Sequence, residues 1–154
     1  MTVKKIISWA AVVLWMGLIF YFSHQPATES AELSRGLTAL VLEVVETLVP
    51  DLEVDAVGLH SFVRKAAHFV TYFVLGVLVI NALVQSGSTG YRSVAWALLV
   101  CVLYAISDEF HQTFVPGRSG EVADVLLDSL GSGVGIMVYV GLGRVFGAWP
   151  SGGR

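Results

Sequence analysis

The stretch AAHFVTYFVLGVLVINALV, residues 66–84, decides the fold, because it contains no Asp, Glu, Lys or Arg. At about 1.5 Å per residue, a helix of this length spans nearly all of the ~30 Å of hydrocarbon in a bilayer. Three more such stretches flank it, at residues 6–22, 93–107 and 129–143. Because lipid offers the backbone no hydrogen bonds, only helices or closed barrels span a membrane, and no alternating strand pattern competes here. The sequence therefore predicts an all-α, polytopic membrane protein with four transmembrane helices, at about residues 6–22, 64–84, 93–112 and 122–143.

The composition of the chain supports this class. Of the 154 residues, 55% are hydrophobic and only 14% are charged, whereas soluble domains average about 45–50% and roughly 25%. These values exclude a cytosolic globular domain and a disordered chain. The net charge of −3 leaves no basic excess to displace counterions, so nucleic acid is not expected as a partner. The length fits one domain, and residues 1–154 are predicted to form a single transmembrane domain.

The connection between the first two transmembrane helices has its own pattern. Residues 29–55 include seven acidic side chains and a single base, Arg35. Apolar residues recur there at helical spacing, which predicts an amphipathic helix at about residues 30–49. Its acidic polar face differs from the basic face that anionic lipid attracts, which favours a cap on the bundle over a helix lying on the membrane. The apolar positions are Leu33, Leu37, Leu40, Val41, Val44, Val45 and Leu48.

The basic residues predict the topology. Four transmembrane helices place one group of bases on a single side of the membrane, and the positive-inside rule makes that side cytoplasmic, with both termini inside. The connection with the amphipathic helix is then extracytoplasmic, and all twelve acidic residues lie toward the outer side. The inner bases are Lys4, Lys5, Arg92, Arg144 and Arg154.

Two of the apolar stretches are too short to cross a bilayer without taking in charge. Residues 93–107 and 129–143 each span about 22 Å as a helix. To complete the crossing, the third helix must take in Asp108 and Glu109, and the fourth must take in Asp128 and Asp124. In the second helix, Lys65 and His68 lie at the same outer end. Ionisable groups at this depth are costly, so they are expected to pair, bind an ion or line a wet cavity.

The same residues carry a family resemblance. Lys65 and His68 belong to the motif RKAAHF at residues 64–69, and Asp108 and Glu109 to the motif SDEFHQTFVPGR at 107–118. With FYFSHQ at residues 20–25 and the glycine-containing helix after Asp124, they resemble the VanZ-like family of bacterial integral membrane proteins over most of the chain. The resemblance implies the bacterial inner membrane, a cell-envelope function and a link to glycopeptide resistance of the teicoplanin type.

The chemistry of the polar residues predicts a site for an anionic lipid headgroup, either a phospholipid or a lipid-linked wall precursor. Arginine binds phosphate through a bidentate fork, and histidine transfers protons near neutral pH. The predicted substrate-binding residues are Arg64, Lys65, Tyr72, Gln112 and Arg118. The predicted catalytic residues are His68, Asp108, Glu109, His111, Asp124 and Asp128. The four carboxylates Asp108, Glu109, Asp124 and Asp128 also suit a divalent cation, Mg²⁺ or Ca²⁺.

Other interpretations of these residues remain open. The carboxylates, bases and histidines could form a self-neutralising network that fixes the register of the helices. A non-enzymatic envelope protein that alters antibiotic access is one alternative function, and a proton-coupled carrier is another. A carrier of four helices would need to form a homo-oligomer to enclose a path. The sequence decides neither whether the protein is an enzyme nor which lipid it binds.

Overall fold

A computed structural model of the protein describes residues 2–48 and 55–147 together with Trp149. Every element in these residues is a helix, which confirms the all-α class. Four of them are long and apolar enough to cross a membrane, as predicted. The base Arg154 and the predicted end of the amphipathic helix at residue 49 lie outside the described residues. The helices are α1 Val3–Ser23, α2 Ala27–Leu48, α3 Ala56–Gln85, α4 Gly90–Gln112 and α5 Val122–Val145.

Helix α3, which is the second of the predicted transmembrane helices, is longer than predicted, since it begins at Ala56 rather than near residue 64. Asp55 caps it, and its side chain accepts a hydrogen bond of 3.1 Å from the Val57 amide. A helix of 30 residues is about 45 Å long, well beyond the hydrocarbon thickness. The extra turns pack against the amphipathic helix α2. The basic pair Arg64 and Lys65 therefore lies inside α3 and not at its start.

Helices α3 and α5 form the most extensive contact of the bundle. Small residues allow it, because Gly131 and Gly135 of α5 face the backbone of Phe69 and Phe73 on α3. A Cβ atom at Gly131 would lie 2.5 Å from the Phe69 carbonyl oxygen, and one at Gly135 would collide with the Phe73 carbonyl oxygen. Gly131 and Gly135 are four residues apart, and small residues at this spacing predict a close approach between membrane helices, which the structure confirms.

Helix α1 is fixed to α3 and α4 by polar contacts as well as by apolar packing. The Trp15 indole donates to the Thr71 carbonyl at 3.0 Å, and the Tyr104 hydroxyl donates to the Met16 carbonyl at 2.6 Å. These contacts set the depth of α1 against α3 and α4. The end of α1 consequently reaches the point where α4 ends and where α5 begins, which we call the site end of the bundle. The buried apolar core includes Val12, Ile19, Leu75, Val79, Ile80, Cys101, Ile136 and Val140.

Candidate functional site

Asp108 lies near the end of α4 and is buried at the site end, with 4% of its surface exposed. Two hydroxyl groups from other helices donate to its Oδ2: Ser23 of α1 at 2.9 Å and Tyr72 of α3 at 3.3 Å. Its Oδ1 is buried and has no hydrogen-bond partner among the described residues. Because both donors bind Oδ2, the hydrogen bonds offset only part of the cost of burying the carboxylate, and Oδ1 remains an unused acceptor.

Glu109 is equally buried, yet both of its oxygens have donors. Gln112 donates to Oε1 at 3.2 Å, and the backbone amide of Glu121 donates to Oε2 at 3.0 Å. The backbone approaches Glu109 closely at Gly120, where a Cβ atom would lie 2.5 Å from the Glu109 carbonyl oxygen. The loop before α5 therefore holds this carboxylate in one orientation.

Asp128 of α5 has no exposed surface. Both of its carboxylate oxygens lack a hydrogen-bond partner among the residues that the structure describes. Nδ1 of His68 lies 3.5 Å from Oδ1 of Asp128, which is longer than a usual N–H···O hydrogen bond. One ligand atom from each of His68, Glu109 and Asp128 can be chosen so that all three lie within 4.8 Å of one another. These three residues form the only group of metal-ligating side chains at this separation in the described part of the chain.

A cavity of about 210 Å³ lies beside these acids. We call it the arginine cavity, because Arg64 of α3 and Arg118 of the loop after α4 both line it. Among the side chains that the structure describes, neither arginine lies within 4.0 Å of a carboxylate. The one pair of opposite charges among them at that distance is His68 with Asp128. The remainder of the lining includes Ile19, Phe22, Ser23, Gln25, Ser30, Ser34, Leu37, His68, Tyr72 and Asp108.

The turn at Pro116 and Gly117 directs Arg118 back to the bundle. Gly117 has a φ of 76°, a conformation that costs glycine little. The turn is fixed to α2, because the Ala27 amide donates to the Pro116 carbonyl at 3.2 Å. Arg118 Nη2 then donates to the carbonyl of Phe22 at 3.2 Å. A Pro-Gly pair is typical of such a tight turn.

The guanidinium of Arg118 is only partly satisfied in this position. Its Nε is buried and has no hydrogen-bond partner among the described residues. Burial lowers the pKa of Arg118 from its ordinary value, and the nearby charge of Arg64 lowers that pKa further. An anion in the cavity would supply the missing acceptor and would offset the repulsion between the two guanidinium groups.

The structure separates three predicted site residues from this cluster. Lys65 is exposed and does not line the arginine cavity. His111 faces α1, where its Nε2 lies 3.2 Å from Nδ1 of His24 and its ring packs on Phe20. Asp124 is partly exposed one turn before Asp128 and does not belong to the metal-ligating group.

Other residues of the site were not predicted from the sequence. Ser23 donates to Asp108, and Ser30 and Ser34 of α2 line the arginine cavity. The sequence contains an indication for Ser23, because it is a polar residue at the outer end of an apolar helix. The sequence contains no such indication for the two serines of α2, because it does not show which face of an amphipathic helix covers a cavity.

Comparison with known protein families identifies the family of the chain. A scan against models of protein families matches VanZ/LLP1 over residues 8–146. Searches of curated proteins and of solved structures found no match. The matched range covers all four membrane-spanning helices almost completely, together with every residue of the site described above.

Proposed function

Because the chain belongs to the VanZ/LLP1 family of membrane proteins, we propose that it binds the anionic headgroup of a membrane lipid in the arginine cavity. One observation carries this proposal. Arg64 and Arg118 line the same cavity without a carboxylate partner among the described residues, and the Nε of Arg118 is buried without an acceptor. A phosphate group provides the missing acceptors, since guanidinium groups bind phosphate by two parallel hydrogen bonds.

The cavity lining suits the rest of a lipid as well as its phosphate. Apolar side chains from α1 and α2, such as Ile19, Phe22 and Leu37, lie beside the arginines. The hydroxyl-bearing residues Ser30 and Ser34 of α2 offer hydrogen bonds to a polar headgroup. A phospholipid and a lipid-linked wall precursor share the required chemistry, a phosphate on an acyl or prenyl chain. Binding of a wall precursor would relate the site to the glycopeptide resistance that the family resemblance implies.

Lipid mass spectrometry on the full-length protein, extracted in mild detergent, tests the proposal. We expect a phosphate-bearing lipid to be enriched with the wild type and to fall about tenfold in Arg118→Ala, because hydrogen bonds to a charged group contribute roughly 1.5–3 kcal/mol each. The mass of the lipid identifies it as phospholipid or wall precursor.

Arg35→Ala is the matched control for this experiment. Arg35 is an exposed arginine of α2 that does not line the arginine cavity, so its removal should leave lipid recovery at the wild-type level. Equal recovery from the wild type and Arg118→Ala would contradict the proposal. Recovery from the wild type at the background level would also contradict it.

We further propose that the site end of the bundle faces the outside of the bacterial inner membrane, with both termini in the cytoplasm. Support comes from Lys4, Lys5, Arg92 and Arg144, which all lie at the opposite end of the membrane-spanning helices. A headgroup cavity at the site end would then open toward the outer leaflet.

Labelling of single cysteines on intact cells tests this orientation. We expect a membrane-impermeant maleimide to label Ser119→Cys, in the loop before α5, and to label Gln85→Cys only after permeabilisation. The native Cys101 is buried and should give no background. Labelling of Gln85→Cys alone on intact cells would reverse the proposed topology.

A further inference from the structure

The three residues His68, Glu109 and Asp128 form a cluster that the lipid site does not explain. Asp128 is completely buried, and neither of its carboxylate oxygens has a hydrogen-bond donor among the described residues. A carboxylate without donors is costly in a protein interior, so such groups are protonated, paired or bound to a metal. One ligand atom from each of the three residues can be chosen so that the three atoms lie within 4.8 Å of one another.

We propose that these three residues bind a divalent transition-metal ion, Zn²⁺ by preference. One histidine nitrogen and two carboxylate oxygens make a mixed set, and imidazole favours zinc, iron, nickel or copper over Mg²⁺ and Ca²⁺, which take oxygen ligands. Bond lengths of about 2.0–2.2 Å to nitrogen and oxygen require the three side chains to close slightly around the ion. This set differs from the sequence-based one, because His68 replaces Asp108 and Asp124.

The surroundings of the three ligands support a metal site. Both oxygens of Glu109 are oriented by donors, from Gln112 and from the Glu121 amide. Such outer contacts fix ligand direction in metal sites, and each carboxylate oxygen still has a lone pair for the ion. The ion would also balance the negative charge of the carboxylates that α4 and α5 bury at the site end.

The proposed ion would lie next to the arginine cavity. His68 lines the arginine cavity as well as belonging to the three-residue group. Three protein ligands leave a fourth position open on zinc. A water molecule or an oxygen from the contents of the cavity could occupy that position. The metal site stands independently of the lipid proposal, because neither Arg64 nor Arg118 is a ligand.

Zinc analysis of the purified full-length protein tests the site. The protein is purified through a tag without histidine, stripped with a chelator, equilibrated with Zn²⁺ alone and desalted before elemental analysis. We expect about one zinc ion per chain in the wild type, and a loss of affinity of at least about tenfold in Asp128→Asn and in Glu109→Gln, because even outer contacts of metal sites contribute that much. Excess Mg²⁺ should not displace the zinc.

Asp124→Asn is the matched control, because it removes a carboxylate on the same helix that does not belong to the three-residue group. It should retain zinc at the wild-type level. Zinc held instead by His24 and His111, whose ring nitrogens lie 3.2 Å apart, would persist in Asp128→Asn and Glu109→Gln, and that result would overturn the proposal. A wild-type protein that retains no zinc would overturn it too.

Folding and lipid binding are separated from metal binding in the same experiment. Size-exclusion profiles show whether a variant is folded, and if Asp128→Asn fails to fold, Glu109→Gln and His68→Gln decide the outcome. Arg118→Ala should lose lipid and keep zinc. Failure of the lipid proposal would therefore leave the zinc result unchanged, and failure of the zinc proposal would leave the lipid result unchanged.

Discussion

Gly135→Val is expected to separate α3 from α5 and to destabilise the protein strongly. A Cβ atom at residue 135 would collide with the carbonyl oxygen of Phe73. Backbone atoms cannot rotate away as a flexible side chain can, so the two helices must move apart. The same movement would loosen the neighbouring contact of Gly131 with Phe69 and displace His68, one residue earlier on α3.

The expected loss of stability follows from the cost of overpacking in protein interiors. Added methyl groups in packed interiors cost about 1–3 kcal/mol, and a collision with backbone lies at or above the upper limit. A loss of about 3 kcal/mol corresponds to a fall in melting temperature of roughly 10 °C for a chain of this size. Thermal unfolding of the detergent-solubilised protein, followed by intrinsic tryptophan fluorescence, measures it.

Gly141→Val provides the matched control on the same helix. A Cβ atom at residue 141 meets nothing within 4 Å, so valine there should change stability by no more than about 0.5 kcal/mol. Equal melting temperatures for Gly135→Val and Gly141→Val would show that the contact between α3 and α5 is looser than the structure indicates.

Removal of both cavity arginines should abolish headgroup binding. Each guanidinium contributes charge-assisted hydrogen bonds of roughly 1.5–3 kcal/mol to a bound phosphate, and each 1.4 kcal/mol corresponds to about a tenfold change in affinity. The double variant Arg64→Ala/Arg118→Ala is therefore expected to bind at least about 100-fold more weakly than the wild type. Titration of the detergent-solubilised protein with short-chain phosphatidate measures the affinity.

Two comparisons make this titration specific. Short-chain diacylglycerol has the same chains without the phosphate, so its weaker binding should not differ between the wild type and the double variant. Arg35→Ala keeps both cavity arginines and should bind phosphatidate as the wild type does. If the double variant and Arg35→Ala bind phosphatidate equally, the arginines do not form the headgroup site.

The class of the protein and the end of the bundle at which its buried acids gather could be predicted from the sequence, because both depend on the distribution of charge along the chain. A helix crosses about 30 Å of hydrocarbon at a fixed rise per residue, so a short apolar stretch forces its flanking charges into the membrane. Asp108, Glu109 and Asp128 were predicted at one end for this reason, and all three are buried there. Such a prediction needs only the length of each helix and the positions of its charges, and it does not depend on which helices pack together.

The beginning of α3 was not predictable in the same way. Residues 56–63 mix Gly58, His60 and Ser61 with apolar side chains, and hydropathy alone does not distinguish an extra-membrane helix from a loop. The tertiary contact with α2 and the cap at Asp55 extend the helix to Ala56. Packing therefore decided where this element begins.

The sequence by itself determined the four spans, the end at which the ionisable groups gather and the close approach that Gly131 and Gly135 allow. Only the tertiary structure decided the partners: Ser23 and Tyr72 with Asp108, His68 with Asp128, and Arg64 with Arg118 around one cavity. The reason is physical. Helical periodicity and hydrophobic length act within one segment, whereas hydrogen bonds and charge pairs depend on how separate helices rotate and shift against one another.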